Sequence, residues 1–92
     1  MQGFGGNMQY IIAVFKSRNE TLYLANMLLH GGYRVAVINT PREVGHACGI
    51  SVQFDAGLLQ MVRQTILSKP FRSFYGIFKI VKQNGRMSVV KI

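Results

Sequence analysis

The chain has 92 residues, 49% hydrophobic and 15% charged, so it reads as one packed domain near the small end of what folds unaided. Eleven lysines and arginines against three acids make a formal charge of +8; the basic residues are scattered, so only weak, nonspecific attraction to polyanions is expected. One cysteine excludes an internal disulfide framework and fits a reducing compartment, and no apolar run approaches the roughly 18 residues of a membrane span.

Met1–Asn7 is glycine-rich and lacks the basic and apolar regions of a secretory signal, so a cytoplasmic location is expected. Its Gly3-Phe4-Gly5-Gly6 follows no strand and precedes no GKS or GKT, which argues against a phosphate loop. Met8 is an alternative start. Residues 1–9 read as a flexible N-terminal segment and 10–92 as a single α+β domain. Tyr10–Phe15 is a continuous apolar run suited to a central strand. Ser17-Arg18-Asn19-Glu20 matches a capping box, predicting a helix over Arg18–His30 that stops at Gly31-Gly32. Leu22, Ala25 and Leu29 form its expected core stripe. Leu24, Met27 and Leu28 then fall outside that stripe, as a broad flank under the C-terminal segment or as a surface for a homodimer or another partner.

Tyr33–Asn39 reads as the second strand, ended by Thr40-Pro41. Ile50–Phe54 alternates as a half-exposed strand does, and Asp55 is placed to cap a helix over Gly57–Lys69 that Pro70 stops. On that helix Leu58, Leu59, Met61, Val62 and Ile66 share a face. Phe74–Lys82 and Arg86–Ile92 flank Asn84-Gly85, a strong hairpin signal. A two-residue turn there sets Lys82 opposite Met87, Ile80 opposite Val89 and Phe78 opposite Lys91. Phe78, Ile80, Met87 and Val89 then share a face suited to the core. The order is β-α-β-β-α-β plus one strand. It predicts an α+β, ferredoxin-like split β-α-β two-layer sandwich: a mainly antiparallel sheet, both helices on one face, and an extra C-terminal hairpin strand.

Between the second and third strands lies Thr40-Pro41-Arg42-Glu43-Val44-Gly45-His46-Ala47-Cys48-Gly49-Ile50, too long for a tight hairpin and holding the only cysteine. A thiol near Arg42, His46 and backbone N–H groups has the ingredients of a reactive cysteine, because positive charge and N–H donors lower its pKa from about 8.5. The alternative is an inert buried cysteine.

Pro41, Arg42, Cys48 and Gly49 resemble the signature of a family of small bacterial selenium/sulfur carrier-like domains, and the resemblance extends more loosely over Tyr10–Phe54. The sequence departs from it at Gly45 and His46, where small hydroxyl residues are expected. The resemblance implies carriage of sulfur or selenium as a persulfide or selenosulfide on Cys48. It also implies a cysteine desulfurase or other donor and an acceptor protein as partners. In that role the chain is an accessory rather than a stand-alone enzyme. Arg42 would stabilise the anionic sulfur, His46 would shuttle a proton, and Pro41, Gly45 and Gly49 would shape an anion-binding loop. Nothing in the sequence requires a bound cofactor. His46 and Cys48 are too few for a structural metal site.

Two readings compete. The first is a single-stranded nucleic-acid module on an open sheet face, with Tyr10, Phe15, Tyr75 and Phe78 stacking and Lys79, Arg86 and Lys91 on phosphates. The second is a dimeric regulatory or scaffolding domain using the first helix.

Overall fold

The computed structural model describes residues 8–45 and 49–92. In chain order its elements are β1 (Met8–Phe15), α1 (Arg18–His30), β2 (Val35–Asn39), a 3-10 turn (Arg42–Val44), β3 (Ile50–Phe54), a second 3-10 turn (Ala56–Leu58), α2 (Leu59–Leu67), β4 (Phe74–Gln83) and β5 (Arg86–Lys91). The strands form one sheet in the order β2-β3-β1-β4-β5, antiparallel throughout. The expected α+β architecture is present, and β1 lies beside β3 as expected. β1 starts at Met8, before the expected boundary at Tyr10, because Met8 and Gln9 pair with Lys82 and Val81. The expectation for residues 1–7 lies outside the described residues. No helix among the described residues is long and apolar enough to cross a membrane.

The continuous apolar run of β1 is buried from Ile11 to Phe15 because its alternate side chains enter two cores. Ile11, Ala13 and Phe15 join Leu24, Ala25 and Leu28 of α1 and Val62 and Ile66 of α2 on one face. Ile12 and Val14 join Phe78 and Ile80 on the other. Each large apolar side chain fully buried this way contributes about 1.5–3 kcal/mol.

The capping signals place α1 correctly. Ser17 Oγ accepts from the Glu20 N–H at 3.3 Å. At the other end Tyr33 N–H donates to Leu28 O and Gly32 N–H to Leu29 O, with Gly32 at φ +87°. That is the Schellman stop, which needs a residue tolerant of positive φ.

The core face of α1 is not the expected one. Thr21, Leu24, Ala25 and Leu28 are buried, whereas Leu29 is half exposed. The face is turned by one residue, about 100°. Thr21 is the reason: its hydroxyl donates to Ser17 O at 3.0 Å, so a polar residue is satisfied inside the core. Leu24 and Leu28 are therefore core residues, with Met27 packed beside them. Of the three residues expected outside the core stripe, Leu24 and Leu28 are buried and Met27 is half-buried.

The Glu20 carboxylate does not return to Ser17. It accepts from the N–H groups of Arg72 and Ser73 and from the Ser73 hydroxyl, while the Ser17 N–H donates to Ser73 Oγ. A local cap thus becomes a long-range clamp on the α2–β4 connection.

α2 follows a 3-10 turn and ends at Leu67, shorter than the expected Gly57–Lys69; Asp55 makes no side-chain cap. Its core face is as expected, with Val62 and Ile66 buried. The hairpin has the expected register, Lys82 opposite Met87, Ile80 opposite Val89 and Phe78 opposite Lys91. Asn84 and Gly85 lie at φ 53° and +80°, as a type I′ turn requires.

Candidate functional site

The motif loop is pinned at its neck. Thr40 N–H donates to Gly49 O at 2.9 Å, one step past the last β2–β3 pair, Asn39 with Ile50. Directly inside that neck Pro41 is extended, at φ −60° and ψ 142°. The chain then makes one 3-10 turn, with Val44 N–H donating to Pro41 O and Gly45 N–H to Arg42 O, both at 3.1 Å. Gly45 leaves this turn at φ +100°, a conformation strained for any side-chain-bearing residue. Below the neck the Thr40 and Ser51 hydroxyls are 2.6 Å apart.

Val44 decides where the loop goes. It is 6% exposed and packs with Ile12, Val14, Phe78 and Ile80. Its turn also reaches β5. The Arg42–Val44 turn therefore lies on the sheet face opposite the helices. That face, open only in the competing nucleic-acid reading, carries a second apolar core in which Phe78, Ile80, Met87 and Val89 share a face as expected.

Of the candidate residues, Arg42, Gly45 and Gly49 are exposed and Pro41 is half buried. His46 and Cys48 lie outside the described residues. The Gly45 N–H donates to Arg42 O.

Three residues not assigned to this site in the sequence converge on it. In the β1–β4 ladder Val14 pairs with Gly76 and Phe15 with Phe74, leaving Tyr75 as the extra residue of a bulge. A bulge re-aims its side chain. The Tyr75 ring lies with the loop-side core, stacked on Phe78 at 5.9 Å. A Cβ at Gly45 would stand 3.6 Å from the Tyr75 hydroxyl. The ammonium groups of Lys16 and Lys91 each lie 5.8 Å from the Tyr75 ring centroid, within cation–π range. Gly76 makes room for this, since a Cβ there would stand 2.9 Å from Lys91 Cε. The sequence signal was Gly76 inside a strand run, a mark of a bulge or close approach.

The expected nucleic-acid residues are not gathered on one surface. Phe15 is buried on the helix side and Phe78 is buried beneath the loop. Lys79 pairs with Ile11, on the helix side of the sheet, and Arg86 follows the same alternation, whereas Lys91 is on the loop side. A depression of about 650 Å³ lies at the far end of the sheet among Tyr10, Tyr33, Arg34 and Asp55, away from the described part of the motif.

The family described as "Putative Se/S carrier protein-like" matches residues 10–74, spanning β1 from Tyr10 through the motif loop and α2. The chain belongs to this family. Neither a curated protein nor a solved structure matches it. In this Se/S carrier-like domain the matched segment contains Pro41, Arg42, Cys48, Gly49 and Lys16. Tyr75, Phe78 and Lys91 come from the hairpin beyond it.

Proposed function

We propose that the domain carries sulfur or selenium on Cys48, as a persulfide or selenosulfide, between a donor such as a cysteine desulfurase and an acceptor protein. The observation that carries this reading is the family match through the whole motif loop. The Thr40 N–H to Gly49 O hydrogen bond supports it by joining the two ends of the motif segment on the side where Arg42 is exposed. The strand order, with both helices contributing to one core, supports reading the scaffold as a ferredoxin-like split β-α-β sandwich extended by β5.

In the loading step the Cys48 thiolate attacks the terminal sulfur of the donor persulfide. The new S–S bond forms as the donor's S–S bond breaks, and its electron pair leaves on the donor cysteine as a thiolate. No external oxidant or reductant takes part. Delivery is the reverse type of exchange, with the acceptor attacking the terminal chalcogen and Cys48 leaving as thiolate. Arg42 stabilises the anionic forms and His46 exchanges the proton near neutral pH. A single thiol suits a carrier, because no second cysteine expels the cargo as an internal disulfide. The reducing cytoplasm is the compartment we assign.

The test is intact-mass and peptide analysis after incubation with a cysteine desulfurase and isotopically labelled cysteine. One labelled sulfur atom on Cys48, absent from Cys48→Ser, is expected. No adduct on the wild type, or an equal adduct on Cys48→Ser, overturns the reading.

A further inference from the structure

The Lys16–Tyr75–Lys91 cluster is a built feature. It depends on a bulge that turns Tyr75 toward the loop, and on a glycine that lets the Lys91 stem lie across β4. It brings two like charges to one ring, beside a loop that carries a third, Arg42. The chain has little negative charge to answer them. Of its three acids, Glu20 is held by the Arg72 and Ser73 N–H groups, and Asp55 is at the far end of β3. Only Glu43 belongs to the loop.

We propose that Lys16, Tyr75 and Lys91 form a docking contact for carboxylate side chains on the protein that exchanges the chalcogen with Cys48. This rests on the carrier reading above. A donor thiol that reaches into the motif loop brings its surrounding surface over the loop's neighbours, and the Tyr75 hydroxyl is one of them. Half-buried tyrosine flanked by cations at its rim matches the anatomy of a protein interface, where tyrosine anchors and peripheral charge speeds encounter. An acidic protein fits better than nucleic acid because the charges converge on a point. A nucleic-acid surface needs a basic track and free ring faces, whereas here one Tyr75 face is stacked on Phe78, and Lys79 and Arg86 sit across the sheet.

The experiment compares wild type with Lys16→Glu/Lys91→Glu and a charge-matched control, Arg34→Glu/Arg86→Glu, which changes exposed residues at the other end of the sheet. Circular dichroism and thermal melts confirm that each is folded. Loading of Cys48 is timed with a persulfidated cysteine desulfurase and, separately, the intrinsic reactivity of its thiol is timed with a neutral organic trisulfide. The trisulfide leaves a mixed di- or trisulfide on Cys48 as the organic persulfide or thiolate departs. Expected is a loss of about tenfold in protein-donor loading at low salt for the Lys16/Lys91 variant only, closing at high salt, with trisulfide loading unchanged. Equal loss in the control, no loss, or parallel loss with the trisulfide overturns the docking role. Absence of loading from both donors in wild type strikes the carrier reading instead. Docking is then judged by anisotropy with a fluorescent oligoglutamate peptide and an oligothymidylate of equal charge. Preferential peptide binding that Lys16→Glu/Lys91→Glu abolishes supports it; preference for the oligothymidylate overturns it.

Discussion

Thr40 and Ser51 share a 2.6 Å hydroxyl–hydroxyl hydrogen bond beneath the motif loop, and Ser51 is fully buried. Removing the Thr40 hydroxyl leaves the buried Ser51 hydroxyl without this partner, and removing Ser51 takes the partner from a half-buried Thr40. Ser51→Ala or Thr40→Val should each cost about 1–2 kcal/mol in urea unfolding, and the double variant should cost less than their sum. Amide exchange at Thr40, whose N–H closes the neck, should rise in both. Additive losses would show that the hydroxyls do not act as a pair.

Glu20 supplies a pH dependence. The Arg72 N–H, then the Ser73 hydroxyl and N–H, hold its carboxyl below the ordinary value of about 4.5. A group depressed in the folded state stabilises it above the unfolded value, and that stabilisation is lost as pH falls through the folded one. Stability should therefore decline on acidification below about pH 4.5, and Glu20→Gln should flatten that part of the profile. An unchanged slope in Glu20→Gln would assign the acid sensitivity elsewhere.

The inward turn of α1 makes a sharp contrast between neighbouring leucines. Leu24 is fully buried while Leu29 is 49% exposed. Leu24→Ala should cost about 2–5 kcal/mol by leaving a cavity, and Leu29→Glu should stay within about 0.5 kcal/mol of wild type. Thermal or chemical unfolding of the two variants decides it. Similar losses would restore the Leu22–Ala25–Leu29 face.

Arg42 is exposed in the same pinned loop as Cys48. If its charge favours the thiolate, native Cys48 should alkylate with a pH–rate midpoint below the reference of about 8.5. Arg42→Ala should raise that midpoint, and Arg42→Lys should recover most of it. A midpoint indifferent to both changes removes Arg42 from the chemistry.

Much of the fold was legible without coordinates because its signals are local. Ser17 and Gly32 cap α1 with their own backbone neighbours, Asn84-Gly85 forces a I′ turn, and that turn alone sets the β4–β5 register. The motif was legible in the same way, as a thiol, an arginine and two glycines in a segment too long for a turn. What the tertiary structure decided depends on contacts between residues far apart in the chain. Thr21 reads as polar until its hydroxyl is seen to bond Ser17 O, and that rotates the helix by one residue. Val44 reads as one apolar residue in a loop until an apolar face of β1 and β4 is there to bury it, and that burial draws the Arg42–Val44 turn onto the sheet face opposite the helices. Tyr75 reads as a strand residue until a register shift against β1 makes it the extra one and turns its hydroxyl toward Gly45. Propensity and spacing describe a residue's near neighbours; which distant surface it meets is settled only when the sheet closes and the core packs.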